Sequence, residues 1–193
     1  MSDSRILFRE FLRAPTRVAT LTASSDALVA AMLAPLPLGG DPVVVELGAG
    51  TGRVTDAIAA RLGCRGRHVA IELNPTLASR LAQRHPGVDV VCADAGALPD
   101  VLGDLGITRV DAISSLLPWE AYDSAPIPTI AAGALVPGGT FLQVSLHLTQ
   151  WMGPARRQER DIRAQFDHVT VSPTVWSNFP PARVHVARSP SRT

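Results

Sequence analysis

The sequence predicts an α/β fold, a mostly parallel sheet with helices on both faces. Three observations lead there. Short β-branched runs recur at regular spacing and alternate with helical segments. A glycine-rich turn joins the first such run to a helix. After His147 the alternation gives way to a polar helix and two strand-like runs close enough to form a hairpin at one sheet edge.

The elements follow in order. Ile6 to Arg13 reads as a short amphipathic helix stopped near Pro15, with Leu7, Phe8, Phe11 and Leu12 on one face and Arg5, Arg9 and Arg13 beside it. A second helix is expected over Asp26 to Leu33, capped by Ser24 or Ser25. Pro42 to Leu47 is a buried strand ended by glycines, followed by a helix over Thr55 to Leu62. Arg67 to Glu72 is the second strand. Asn74-Pro75 supplies a cap and a first-turn proline for a helix over Thr76 to His85. Val88 to Cys92 and Val110 to Ser115 make strands three and four. The turn Pro137-Gly138-Gly139 introduces a fifth over Thr140 to His147. A helix over Pro154 to Gln165 then precedes runs at Val169 to Ser172 and Arg183 to Arg188. Residues 1–36 are set apart as a helical extension, and 37–193 as the main domain.

Composition narrows the function classes. The 193 residues are 46% hydrophobic and 18% charged, enough to bury a core. A net charge of +1 argues against a protein that holds nucleic acid by neutralising phosphates, so no nucleic-acid partner is expected. Every one of the 18 basic residues is Arg, which removes Walker-type lysines and lysine Schiff bases. Two cysteines make no disulfide framework, and His68, His85, His168 and His185 show no ligand spacing, so no metal is assigned. No run approaches the ~18–20 apolar residues of a membrane-spanning helix. Arginines reach to Arg17 and Asp26 interrupts the apolar stretch, which does not suit a cleaved leader; cytoplasmic residence is expected.

Chemistry concentrates around Glu46-Leu-Gly48-Ala49-Gly50-Thr-Gly52. Glycines between a strand and a helix let backbone approach a ligand, although such turns also arise from packing alone. The spacing is G-x-G-x-G, not the dinucleotide G-x-G-x-x-G. Glu46, two residues before the first glycine, would repel phosphate and attract an ammonium, or else pair with an arginine. Glu72 ends the second strand, where an acid can accept both ribose hydroxyls. Asp94 follows the third strand and can take an adenine amino group; either acid can also cap the next helix. An adenosine flanked by an ammonium, without phosphate, describes S-adenosylmethionine.

Together with Pro137-Gly138-Gly139, these residues resemble the class I S-adenosylmethionine-dependent methyltransferases. The resemblance implies a Rossmann-like, seven-stranded, mostly parallel sheet with an antiparallel last strand, and S-adenosylhomocysteine as product. It implies that Glu46 helps hold the methionine end while Gly48, Ala49, Gly50 and Gly52 pack against it. It further implies Glu72 at the ribose, and Asp94 with Ala95 at the adenine. Leu73 and Ser115 complete the candidate cofactor set.

A narrower similarity covers nearly the whole chain. Phe11-Leu-Arg-Ala-Pro15, Thr22-Ala-Ser24-Ser25, Ile71-Glu72-Leu73-Asn74-Pro75, Ser115-Leu-Leu-Pro118 and Val175-Trp-Ser-Asn-Phe-Pro-Pro181-Ala-Arg183-Val184 resemble soluble bacterial phospholipid N-methyltransferases, relatives of ribosomal RNA adenine dimethyltransferases. Leu116 stands where that family usually has glycine, and Trp119-Glu120-Ala121-Tyr122-Asp123 also departs from it. The resemblance implies N-methylation of phosphatidylethanolamine or its partly methylated forms. The departures leave a small-molecule methyltransferase of secondary metabolism as the alternative. An RNA adenine dimethyltransferase would want an Asn/Asp-Pro-Pro/Ile-Tyr/Phe motif after strand four to hold the base, and Ser-Leu-Leu-Pro-Trp is not that. A non-enzyme reading, a cofactor binder without an acceptor site, also stands.

An amine acceptor must shed a proton, so a base near the ends of strands four and five is expected: Glu120, Tyr122 and His147 are the candidates. Trp119 and Tyr122 are candidates to face a quaternising ammonium. Residues 5–13 fit a peripheral contact with an anionic inner-membrane surface, or a lid on the acceptor pocket. Arg156, Arg157, Arg160 and Arg163 read as a solvated helix face or a headgroup contact.

Overall fold

The computed structural model describes residues 24–36 and 39–190. The helix expected at Ile6 to Arg13 lies outside them. The chain begins with α1 (Asp26–Leu33), where Ser25 Oγ accepts the amide of Leu28 as the N-cap. Next come β1 (Val43–Leu47), α2 (Arg53–Leu62), β2 (Arg67–Glu72), α3 (Pro75–Arg84) and β3 (Asp89–Cys92). Asn74 caps α3 by accepting the amides of Thr76 and Leu77, with Pro75 in the first turn.

A 3₁₀ turn at Ala95–Ala97 leads into α4 (Leu98–Asp104), then β4 (Val110–Ser115), α5 (Ala121–Ser124), α6 (Ile127–Ala134) and β5 (Leu135–Leu146). A second 3₁₀ turn, His147–Thr149, precedes α7 (Gly153–Gln165), β6 (Phe166–Val171) and β7 (Ala182–Pro190). The expected strands and helices are present within a few residues. In addition, α4 and α6 fill the connections into β4 and β5, and β5 starts earlier than the glycine turn suggests. Its register on β4 shifts between the Val110–Leu135 and Ala112–Thr140 pairs, so Pro137-Gly138-Gly139 forms an irregularity inside the strand.

The seven strands lie in the order β3-β2-β1-β4-β5-β7-β6. Strands β1 to β5 are mutually parallel, and β7 runs antiparallel to both β5 and β6. The chain steps one way from β1 to β3 and the other way from β4 onward. That reversal opens a crevice at the carboxyl ends of β1 and β4.

Side-chain alternation divides the core. Val45, Leu47, Val69, Ile71, Ile113 and Phe141 face one layer, built from α4, α6 and α7. Val44, Ala112, Leu142 and Val184 face the other, where Leu28, Val29, Met32 and Leu33 of α1 pack with Val54, Ile58 and Leu62 of α2. Although α1 falls in the stretch that sequence sets apart as an extension, it closes directly over β1, β4 and β5. Each such fully buried apolar side chain contributes roughly 1.5–3 kcal/mol.

Candidate active site

A cavity of about 640 Å³ lies at the carboxyl ends of the central strands. Its floor is the glycine loop. The amides of Gly48 and Ala49 both donate to Ile71 O, at 2.9 and 3.2 Å, which folds the loop back against β2. Gly48, Gly50 and Gly52 have φ of +76°, +55° and +84°, a region costly for any residue with a Cβ. Their surroundings differ. A Cβ on Gly50 would meet only Gly48 O, 4.0 Å away, and Gly48, Ala49 and Gly50 all line the cavity. A Cβ on Gly52 would run into the guanidinium of Arg84 and the Leu81 side chain, so Gly52 is a packing glycine between α2 and α3.

The acids hold different places. Glu72 lines the cavity and is nearly buried; Oε2 accepts Gly50 N at 2.7 Å and Oε1 accepts Asn74 N at 2.9 Å. Each oxygen keeps a further lone pair for a ligand hydroxyl. Asp94 and Ala95 line the cavity beside exposed Leu73, and Asp94 Oδ1 accepts Gly96 N at 2.7 Å, capping the 3₁₀ turn. Glu46 is not a lining residue. It is fully buried below the loop, with Oε2 accepting from Thr55 Oγ1 at 2.6 Å and 3.5 Å from His68 Nε2. Its Oε1 has no hydrogen-bond partner among the described residues. Ser115 is likewise buried under the site, where its Oγ accepts Leu117 N at 3.4 Å and shapes the turn after β4.

Of the three candidate bases, only Glu120 borders the cavity; it lies in the loop after β4 with its side chain exposed. Tyr122 points away, and its hydroxyl donates to Gln143 Oε1 at 2.6 Å. Burial pushes the phenol far above its usual range, outweighing the hydrogen bond with Gln158. A phenol held neutral and already donating takes no proton from an acceptor, so Tyr122 acts as an anchor. His147 turns outward too: Nδ1 meets Thr174 Oγ1 at 3.0 Å, and its ring meets Trp176 edge-on at 5.0 Å.

Two residues to which sequence reasoning assigns no role organise this end of the site. Fully buried Gln143 donates through Nε2 to Leu117 O at 2.9 Å and Val144 O at 2.6 Å, clamping the loop after β4 to β5. Asn178 accepts Ser25 N at 2.8 Å and donates to Pro180 O at 2.7 Å, which ties α1 to the approach to β7. A polar side chain in the apolar run Phe141-Leu-Gln-Val144 marks Gln143 as a buried amide in need of partners. Asn178 carries no such local mark. Among the described residues, no group of three His, Cys, Asp or Glu is placed to hold a metal ion, and no helix is long and apolar enough to cross a membrane.

A sequence profile of the methyltransferase domain matches residues 44–139. An ornithine lipid N-methyltransferase from Singulisphaera acidiphila is 31% identical over 97% of this chain and 97% of its own length. The chain belongs to the class I S-adenosylmethionine-dependent methyltransferases. Solved structures of that fold superimpose well. Aeropyrum pernix fibrillarin, in complex with natively bound S-adenosylmethionine, gives a TM-score of 0.63 at 18% identity, over 83% of this chain and 74% of that one. A Thermotoga maritima S-adenosylmethionine-dependent O-methyltransferase gives 0.64 at 16% identity, over 97% and 72%.

The methyltransferase's cavity suits S-adenosylmethionine. At Gly50 the floor leaves room where a Cβ would project, and Glu72 closes the β2 side with spare acceptor capacity. The cofactor supplies a sulfonium-bound methyl group to a nucleophile. The chain must then hold the nucleophile in line, roughly 3 Å away, and exclude water.

Proposed function

We propose that this methyltransferase N-methylates the amine headgroup of a membrane lipid, phosphatidylethanolamine or its partly methylated forms being the leading acceptors. The observation that carries the reading is the make-up of the cavity beyond the glycine floor. Leu28, Leu117, Trp119, Ile127 and Val144 give apolar walls, and Glu120 is the one carboxylate at the acceptor side among the described residues. A flexible amine with an apolar body fits such a site better than a base read by hydrogen bonds. The similarity to an ornithine lipid N-methyltransferase over nearly the whole chain supports an aminolipid and leaves open which one.

In this reading Glu72, Asp94, Ala95 and Leu73 hold the nucleoside, and Gly48, Ala49 and Gly50 cradle the methionine end. Glu46 supports the loop from below through its bond with Thr55, and its Oε1, without a partner among the described residues, adds negative charge beneath the methionine end. The amine lone pair forms the new N–C bond as the S–C bond breaks, and Glu120 takes the departing N–H proton. Trp119 presents an aromatic face to the increasingly methylated ammonium.

The test is incubation of the full chain with methyl-labelled cofactor, a total lipid extract and, separately, a polar metabolite extract. Label in aminolipids, lowered about tenfold or more by Glu120→Gln, is expected. Label confined to the polar extract would replace the lipid reading with a small-molecule one.

A further inference from the structure

Among the described residues, four large apolar side chains stay exposed: Leu73 (66%), Trp151 (68%), Trp176 (67%) and Phe179 (40%). A random scatter of exposed apolar residues would mean nothing. Leu73 and Phe179 line the cavity, and the two tryptophans belong to the chain segments that follow and precede its lining residues. In sequence, Trp151 stands between lining Thr149 and Ala155, and Trp176 two positions before lining Asn178. The two segments meet: His147 N donates to Pro181 O at 2.8 Å, Trp176 packs on His147, and Arg183 bonds Gln150. Trp151 is held in place, its Nε1 donating to Leu148 O at 2.9 Å. The rings are therefore presented by an ordered rim.

Charge completes the pattern. Arg156 and Arg157 stand exposed in the opening turns of α7, a few residues beyond Trp151, and neither has an acidic partner among the described residues. Indole rings beside unpaired guanidinium groups match the interfacial zone of an anionic bilayer, where rings settle at headgroup depth and arginines meet phosphates.

We propose that this rim, Trp151, Trp176 and Phe179 with Arg156 and Arg157, is a docking surface for an anionic lipid bilayer, distinct from residues 5–13. It rests on the aminolipid reading in one respect: a lipid headgroup can reach the cavity without its chains leaving the membrane only if the mouth faces the bilayer.

Flotation of the full chain with phosphatidylglycerol-containing vesicles, beside pure phosphatidylcholine vesicles, tests it. Binding to the anionic vesicles is expected. It should weaken about tenfold or more in W151S/W176S and in R156E/R157E, with cofactor affinity and thermal midpoint kept in both variants. Unchanged flotation of both variants would overturn the proposal, as would absence of binding by the parent chain. Self-association lost in W151S/W176S without vesicle binding would assign the rim to a second copy instead. Turnover of a short-chain aminolipid dispersed below its micelle threshold separates the two readings. Vesicle binding without any lipid methylation would leave the surface standing and remove the aminolipid acceptor. Methylation of the dispersed lipid without vesicle binding would do the reverse.

Discussion

The carboxylate of Glu72 accepts the amide of Gly50 at 2.7 Å across the gap between β2 and the glycine loop. Its other oxygen takes the amide of Asn74, so one side chain holds the loop and the turn into α3 at a fixed separation. Glu72→Ala frees both amides and removes the acceptor proposed for the nucleoside. Hydrogen bonds to a charged group contribute about 1.5–3 kcal/mol each. Cofactor affinity measured by titration calorimetry should fall at least tenfold. Glu72→Gln should fall less, since one amide oxygen still accepts while the NH₂ faces a donor.

The second and third glycines of the motif should fail in different ways. Gly52→Ala places a methyl against Arg84 and Leu81 at φ +84°, so the thermal midpoint should drop steeply. Gly50→Ala has open space around its Cβ, and its folding cost is limited to about 1–2 kcal/mol of backbone strain. Its methyl borders the cavity, and cofactor binding should be lost while the fold survives. Calorimetric scanning beside cofactor titration separates the two outcomes.

Tyr122→Phe leaves Gln143 Oε1 without its donor, at a cost of about 1–3 kcal/mol in denaturant unfolding. Because burial holds the phenol protonated over the working range, the shape of the pH–rate profile should not change. Glu120→Gln should instead lower turnover about tenfold or more. Turnover lowered by Tyr122→Phe and untouched by Glu120→Gln would exchange their roles.

His185 links stability to acid. Burial lowers its pKa below the usual 6.5, opposed by Glu159 and reinforced by Arg183 and Arg163. Nε2 bonds Ser145 Oγ at 2.9 Å. The folded state therefore binds the proton less readily than the unfolded chain, and stability falls as pH drops through 6.5. The urea midpoint should decline between about pH 7.5 and 5.5, and His185→Gln should flatten part of that decline.

Local signals made much of the fold legible. Arg67–Glu72 and Val110–Ser115 are short runs with two β-branched residues each, set between punctuating residues, and their ends fall as the sequence places them. Asn74-Pro75 announces α3 through its cap. By contrast, α4 and α6 carry Pro99, Gly103, Pro128 and Gly133, residues that hide a helix until packing supplies the missing stability. β6 begins at Phe166 because that ring stacks on Phe141 with centroids 5.7 Å apart, a partner 25 positions away. The site divides similarly. The glycine loop, Glu72 and Asp94 lie at strand ends, where alternation places them. Whether Glu120, Tyr122 or His147 faces the cavity depends on how the loops after β4 and β5 turn. The first turn is held by Gln143 on Leu117 O, and the second by His147, through its amide on Pro181 O and its Nδ1 at Thr174 Oγ1, all partners distant in sequence.

The Gln143 clamp grips the strand-four loop through the carbonyl of Leu117 and leaves the side chains of residues 116–120 free of that duty. Anchorage and selectivity are thus carried by different atoms of the same five residues. On the proposed reading, exchanging Leu116 or Trp119 retunes which acceptor fits while the scaffold beneath stays fixed, so relatives with new acceptors should vary there and keep the glutamine.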